Sequence, residues 1–266
     1  MATEFEVLQG GVANVGAVVR VGNEVLRPAP ANHATIHRFL RHLGGSGASI
    51  ASEPIGLADD ERERLRFVPG DVPIPPYPAW AQSELVLASI AGLMRSMHEA
   101  SRDFKQRSDD VWCVDGLDPE SDGSVICHND VCLENVVFRN GEAVALLDFD
   151  FAAPGRRSYD VACFARMCVP VDYEMNRRRL GWDVTNLPER MRLIADSYGS
   201  KSTERAEIIT SIDYLLVHHA EFVRQRVEAG DPGFVAQWES SGGRAHFDRR
   251  QEWWTKHRGD FVAAML

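Results

Sequence analysis

Positive charge is scarce in this chain. Its 266 residues carry 29 Lys and Arg against 39 Asp and Glu, a formal net charge of −10 at neutral pH. Nucleic-acid phosphates demand a basic footprint, so this balance argues against a nucleic-acid partner. It is permissive for a cationic substrate, because clefts rich in carboxylate attract cations, but solubility alone accounts for acidity of this size. No lysine precedes Lys105. No apolar run is long enough to span a bilayer, which leaves no membrane helix to expect. The first residues, Met1-Ala2-Thr3-Glu4-Phe5-Glu6, are acidic where a secretory leader would be basic. The 5 cysteines form no C-x-x-C pair and leave an odd count, so reduced thiols in a cytoplasm are expected. Tandem repeats and low-complexity tracts are absent. Gly199-Ser200-Lys201-Ser202 lacks both a Gly beside the Lys and a second Gly at the spacing of a phosphate-binding P-loop.

What the chain does carry is a globular composition with one dense acidic motif. Apolar residues make up 44% and charged residues 26%, and the length suffices for one large domain or two lobes. Near the middle stands His128-Asn129-Asp130-Val131-Cys132-Leu133-Glu134-Asn135, followed by Asp148-Phe149-Asp150. An H-x-D-x-x-x-x-N loop with a downstream D-F-x turn is the inventory that phosphoryl transfer from ATP needs. One carboxylate accepts a hydroxyl proton, while an amide and one or two further carboxylates hold Mg²⁺ on the phosphates. The flanks fit. Ser124-Val125-Ile126-Cys127 runs into the loop, and Val136-Val137-Phe138 leaves it as a strand. Asn140-Gly141 predicts a hairpin turn, and Ala143-Val144-Ala145-Leu146-Leu147 a second strand that delivers Asp148 at its end. Such a hairpin lets Asp130, Asn135 and Asp148 converge on one metal.

The stretch from residue 128 to 170 resembles the aminoglycoside phosphotransferase family, small-molecule kinases that share the protein-kinase fold and include choline- and homoserine-kinase-like members. Leu146-Leu147-Asp148-Phe149-Asp150, Tyr159-Asp160-Val161-Ala162 and Met97-His98-Glu99-Ala100 carry the resemblance. It is most specific between residues 124 and 165 and weak toward the carboxy terminus. It implies an α+β, protein-kinase-like bilobal fold: a small β-rich, nucleotide-binding lobe with hinge at residues 1–70, and a mostly helical catalytic and substrate lobe at 71–266.

The first seventy residues read accordingly. Strands are expected at 5–8, 15–21 and 24–27, with a Gly-rich turn at 9–14 and a second turn at Gly22-Asn23. Gly10 and Gly11, with Asn14, would let backbone N–H groups approach a phosphate closely. A protein kinase places a Lys on its third strand, paired with a Glu on the next helix. Here Arg27 stands at the matching place, bulkier than Lys but able to bridge two phosphate oxygens. Its Glu partner looks missing, because the helix expected at 31–43 offers His33 and His37 but no acid. His37 either sits beside Arg27 or is exposed. Strands at 53–57 and 65–70 close the small lobe, and the resemblance implies that Phe67 and Val68 meet adenine through main-chain groups. Pro73 to Pro78 reads as a stiff linker.

Apolar residues at helical spacing from Leu85 to Met97 predict a core helix over 80–98. His98 and Asp160 read as packed residues that brace the larger lobe, His128 as an orienting residue of the loop, and Cys127 and Cys132 as buried filler. From residue 180 onward the chain is expected to be largely helical, with 208–227 the clearest amphipath and Trp253-Trp254 in the core. The expected activity is ATP- and Mg²⁺-dependent phosphorylation of a hydroxyl on a small molecule. Asp130 would take the proton, and Asn135, Asp148 and Asp150 would hold the metal. The alternative is a kinase-fold protein of the immunity type, which binds a nucleotide, toxin or drug without transferring phosphate. The acceptor, antibiotic or metabolite, stays open, as does oligomeric state.

Overall fold

Short runs alternating Val or Leu with charged residues build the amino-terminal sheet. The structure, a computed structural model, describes residues 5–8, 16–45, 50–116, 118–121 and 123–266. Strands β1 (Phe5–Val7), β2 (Val19–Val21), β3 (Glu24–Arg27), β4 (Pro54–Leu57) and β5 (Glu63–Arg66) pair antiparallel in the order β1-β2-β3-β5-β4. The second strand begins at Val19, later than the expected 15, because Gly16 takes a left-handed φ of 75° and turns the chain first. The fifth spans Glu63–Arg66 and not 65–70, because it is fixed by pairing with two neighbours. That shift matters: the register sets Glu63 directly opposite Arg27.

Between β3 and β4 the chain crosses over in helix α1 (His33–Gly45). Ile36, Phe39, Leu40 and Leu43, spaced three and four apart, are buried on one face. Helix α2 (Glu84–Ser101) follows a short 3₁₀ turn at Ala79–Gln82, and the Ser83 hydroxyl caps it by accepting the Val86 N–H at 3.3 Å. Two hairpin-like pairs then frame the acidic motif. Strand β6 (Val125–Cys127) pairs with β9 (Ala153–Gly155), and β7 (Val136–Arg139) with β8 (Glu142–Leu146) through the Asn140-Gly141 turn. Asn140 and Gly141 both adopt positive φ, as a tight turn of this kind requires.

Backbone hydrogen bonds tie this frame to the chain that leads into and out of the sheet. Leu146 donates to the Ile50 carbonyl at 2.7 Å, while Asp71 and Phe138 exchange a pair at 2.8 Å. The rest is helical: α3 (Arg157–Cys168), α4 (Glu174–Arg179), α5 (Leu187–Tyr198), α6 (Ser202–Glu228), α7 (Pro232–Ser241) and α8 (Arg244–Met265). Trp254 is buried, with its indole N–H on Asp213 at 2.7 Å, and Trp253 packs half-buried beside it, so both belong to the core. The architecture is mixed α+β, a small antiparallel sheet followed by a mostly helical remainder. Among the described residues no helix is long and apolar enough to cross a membrane.

Candidate active site

The loop between β6 and β7 carries Asp130 and Asn135, and buried polar contacts hold it in place. Asp160, in the first turn of α3, is fully buried. Its carboxylate accepts the backbone N–H of His128 at 2.8 Å, the N–H of Asn129 at 2.7 Å and Nε2–H of His98 at 2.8 Å. His98 Nδ1 lies 2.8 Å from the Tyr198 hydroxyl. Burial works to raise the Asp160 pKa, but the hydrogen bonds from His98 and from the His128 backbone outweigh it and hold the carboxyl below its ordinary value. A buried carboxylate with three donors is a brace. The Cys127 sulfur completes a close group with His98 and Asp160, all within 4.8 Å, but His98 and Asp160 are bonded to each other and the thiol donates to the Arg156 carbonyl at 3.4 Å, so the group is structural.

His128 performs the orienting work expected of it. Its Nε2–H donates to the Leu147 carbonyl at 2.8 Å, and its Nδ1 accepts the Asp130 N–H at 3.3 Å. Both contacts suit a neutral ring, and burial lowers its pKa accordingly. From the other side, Leu147 donates to the Asn135 carbonyl at 2.8 Å. Both ends of the loop therefore clasp the residue immediately before Asp148. The Asn135 amide also donates to the Asp130 backbone carbonyl at 2.9 Å and to its carboxylate at 3.0 Å. Burial first, then the neighbouring Asp148 carboxylate, pushes the Asp130 pKa up to about 8. Asp148 itself takes left-handed backbone angles, φ 60° and ψ 68°, which turn the chain into the 3₁₀ turn Phe149–Phe151. Phe149 is buried against the His128 ring, with centroids 4.4 Å apart, and against Phe39 of α1.

Arg27 completes the assembly from the sheet. Its Nη1 donates to Asp148 at 2.8 Å and its Nη2 to Asp150 at 2.5 Å, while its Nε meets Glu63 across the strand pair. Burial opposes the charge, but Asp148, Asp150 and Glu63 outweigh it and raise the guanidinium pKa. Asp150 is pushed up to about 7 by burial and then by Asp148. The Asn32 amide, just ahead of α1, holds the Asp150 carbonyl at 3.0 Å.

The expectation that Arg27 lacks a Glu partner is corrected here. The acid comes from β5 and not from the helix: Glu63, 1% exposed, accepts Arg27 on one oxygen and His37 Nε2 on the other at 2.7 Å. His37 is buried and is the contribution of α1 to the same chain of contacts. Glu63 falls outside the strand expected at 65–70, two residues ahead of its start. The available signal was the alternation Arg62-Glu63-Arg64-Leu65-Arg66 opposite a strand ending in Arg, an opposite-charge cross-strand pair. Asn32 left no comparable trace.

Asp130, Asn135, Asp148, Asp150 and Arg27 are thus brought together. Gly10, Gly11 and Asn14 lie outside the described residues. Phe67 follows β5 directly; its N–H donates to the Asn23 carbonyl at 3.0 Å and the Arg20 guanidinium lies 3.8 Å from its ring centre. Val68 follows it, partly buried. The oxygen atoms of two carboxylates and one amide are of the hard type that a cation such as Mg²⁺ would take.

A model of the phosphotransferase enzyme family matches residues 112–194, which contain the loop, the acidic turn and the Asp160 brace. Across 261 residues the chain is 30% identical to a trifolitoxin immunity protein of Rhizobium leguminosarum bv. trifolii, covering 93% of this chain and 94% of that relative. Among solved structures, a choline/ethanolamine kinase family protein from Mesorhizobium loti aligns with a TM-score of 0.66 at 14% identity, over 99% of this chain and 92% of that one. Amicoumacin kinase hAmiN, solved in complex with AMP-PNP, Ca²⁺ and Ami, aligns with a TM-score of 0.64 at 12% identity, over 91% and 88%. At these identities the structural likeness shows the fold, and the residues above supply the chemistry. With the near full-length relative and the matched motif region, this chain belongs to the phosphotransferase enzyme family and has its protein-kinase-like fold.

Proposed function

We propose that this protein is an ATP- and Mg²⁺-dependent phosphotransferase acting on a hydroxyl of a small molecule. Residues 1–70 would form the nucleotide lobe and hinge, and residues 71–266 the catalytic and substrate lobe. One observation carries the reading: His128 and Asn135, at the two ends of the loop, both hydrogen-bond Leu147, which gathers Asp130, Asn135 and Asp148 in one place. In this reading Asp130 orients the acceptor hydroxyl and takes its proton, for which a carboxyl raised toward neutrality is well matched. Asn135 spends its amide N–H on Asp130, and its carbonyl, with Asp148 and Asp150, would hold the metal. The metal supplies charge neutralisation on the phosphates. Arg27 would offer its guanidinium to phosphate oxygens while Glu63 keeps its Nε in place. Gly10, Gly11 and Asn14 would cover the phosphates. Because the Phe67 amide is already engaged, adenine would be met by the Phe67 carbonyl and the Val68 main chain. Cys127, Cys132, Cys163 and Cys168 are buried and Cys113 is half-buried, which suits a reducing cytoplasm.

A second reading keeps the fold and drops the transfer. It is favoured by the similarity to an immunity protein and by Arg27, which lies on both metal-site carboxylates. A thermal-shift titration with ATP and Mg²⁺, followed by a coupled assay for ADP release over a panel of hydroxyl-bearing small molecules, separates the two. A metal-dependent shift with acceptor-dependent ADP release supports transfer. No such shift favours the binding-only reading.

A further inference from the structure

Beside the catalytic loop lies a cavity of about 160 Å³. Tyr77, on its wall, donates to Glu134 of the loop at 3.1 Å, and Arg166, also on its wall, acts electrostatically on Asp130. Four arginines line it: Arg166 of α3, Arg177 and Arg179 of α4, and Arg250 of α8. One carboxylate, Asp172, faces them, and its oxygens already accept the Tyr173 N–H at 2.8 Å and the Asn176 amide at 2.7 Å. None of the four arginines forms an ion pair among the described residues, although elsewhere arginines such as Arg156 and Arg258 find Asp118 and Asp213. Their close contacts are with neutral groups, and Asp172 acts on Arg250 and Arg177 only at longer range. Arg179 donates to the Asn176 side chain at 3.0 Å, and Arg250 lies 5.1 Å from the Phe247 ring centre.

Arg250 is the sharpest case. It is 7% exposed, and its Nη2 is buried without a hydrogen-bond partner; the Nε of Arg166 is in the same condition. Buried guanidinium donors left unmatched are costly, so each calls for a water, an ion or a ligand to complete it. The field is strong enough to act on its neighbours. Burial, and then Arg166, lowers the Arg250 pKa to about 10, while burial and then Arg250 lowers His246, on the same wall, to about 4. Both effects describe like charges gathered around a single carboxylate, Asp172, which acts on Arg250 in the opposite sense. Trp182 and Trp238 add apolar wall beside the arginines.

We propose that this cavity receives the phosphate acceptor by an anionic group, so that the acceptor is a hydroxyl-bearing carboxylate and not a cationic amino-sugar or choline. The carboxylate pairs with Arg250 and Arg166 in bidentate fashion, the geometry for which guanidinium is suited. The body of the acid lies against the tryptophans, and its hydroxyl is directed to Asp130. A cation placed here meets four guanidinium groups and gains one carboxylate already in use. The inference rests on the phosphotransferase reading for the word acceptor, but the anion site itself does not need it.

The test is calorimetric titration of the full-length protein, without nucleotide, with glycerate, malate and 3-phenyllactate. The neutral 3-phenyllactamide, kanamycin, choline and inorganic sulfate serve as comparisons. At least one acid is expected to bind, with sulfate competing, 3-phenyllactamide at least about tenfold weaker than 3-phenyllactate, and no heat from kanamycin or choline. Arg250→Gln is expected to weaken the acid at least about tenfold while the Mg-ATP thermal shift is unchanged. Arg177→Gln, on the less buried rim, carries the same test if Arg250→Gln does not fold. The inference is overturned if no acid and no sulfate binds, if neither substitution weakens the acid, or if kanamycin or choline binds and the substitutions leave that binding intact. Acid binding with no phosphorylated product would retain the anion site and remove the phosphotransferase reading; ADP release with a cationic acceptor alone would do the reverse.

Discussion

Replacing Glu63 with alanine tests the pairing that links sheet, helix and acidic turn. Glu63 is 1% exposed and accepts two donors, Arg27 Nε and His37 Nε2. Hydrogen bonds to a charged group contribute about 1.5–3 kcal/mol each, so the two together amount to about 3–6 kcal/mol. Two effects reduce that loss. Arg27 keeps Asp148 and Asp150 and is not orphaned, and the desolvation cost of Glu63 disappears with its carboxylate. The pairing nonetheless wins in the native protein. Burial raises the Glu63 pKa, but His37 and Arg27 together bring it below its ordinary value. The expected loss is therefore about 3 kcal/mol, at the lower end of what breaking a buried ion pair costs. Urea unfolding followed by tryptophan fluorescence reads it as a lower midpoint at unchanged slope. A double-mutant cycle with His37→Ala should show a coupling of about 1 kcal/mol or more between the two residues. In nucleotide titrations Glu63→Gln, which keeps the shape, should weaken Mg-ATP binding about tenfold because Arg27 is no longer anchored on the sheet side. A loss below about 0.5 kcal/mol, typical of an exposed pair, together with zero coupling, would refute the reasoning.

Three further outcomes are expected. Asp130→Asn abolishes phosphate transfer while Mg-ATP still stabilises the fold, whereas Asp148→Ala removes the metal-dependent thermal shift; equal unfolding of both variants would make these residues structural instead. Asp160→Asn leaves one acceptor oxygen for three donors and costs about 3 kcal/mol in chemical unfolding. The native Asp160 carboxyl is held below its ordinary value, so its stabilisation is present above about pH 4 and fades as pH falls through the lower folded value. The wild type should consequently lose stability below about pH 4 more steeply than Asp160→Asn, and parallel acid-unfolding curves would contradict that assignment. Gly181 has φ 81°, and a Cβ there would stand 2.7 Å from Pro76 and from the Tyr77 nitrogen. Gly181→Ala should cost about 2 kcal/mol and lower the melting temperature by about 4–8 °C by calorimetry; an unchanged melting temperature would show that the turn relaxes.

The catalytic loop and its hairpin were readable because their information is local. The residues from His128 to Asp150 fix their own strands, turn and polar inventory, and Asn140-Gly141 needs no distant neighbour to form its turn. Strand ends were read less well. The fifth strand begins at Glu63, ahead of the expected 65, because its limits come from pairing with β4 and with β3, the latter distant in the chain. The carboxy-terminal helices were recognisable by periodicity, but which of their arginines would meet was not.

Composition and motif spacing alone dictated an acidic, helix-rich chain with an inventory suited to phosphoryl transfer, since residue identity and short-range periodicity are written in linear order. Folding in three dimensions supplied the rest. It made Glu63 the partner of Arg27 through a strand order that inserts β5 beside β3. It also gathered Arg166, Arg177, Arg179 and Arg250 around one cavity from three helices spread over more than eighty residues. Cross-strand register and helix packing bring together charges that are remote along the chain, and Coulombic and hydrogen-bond energies depend on the resulting distances and burial, not on sequence separation.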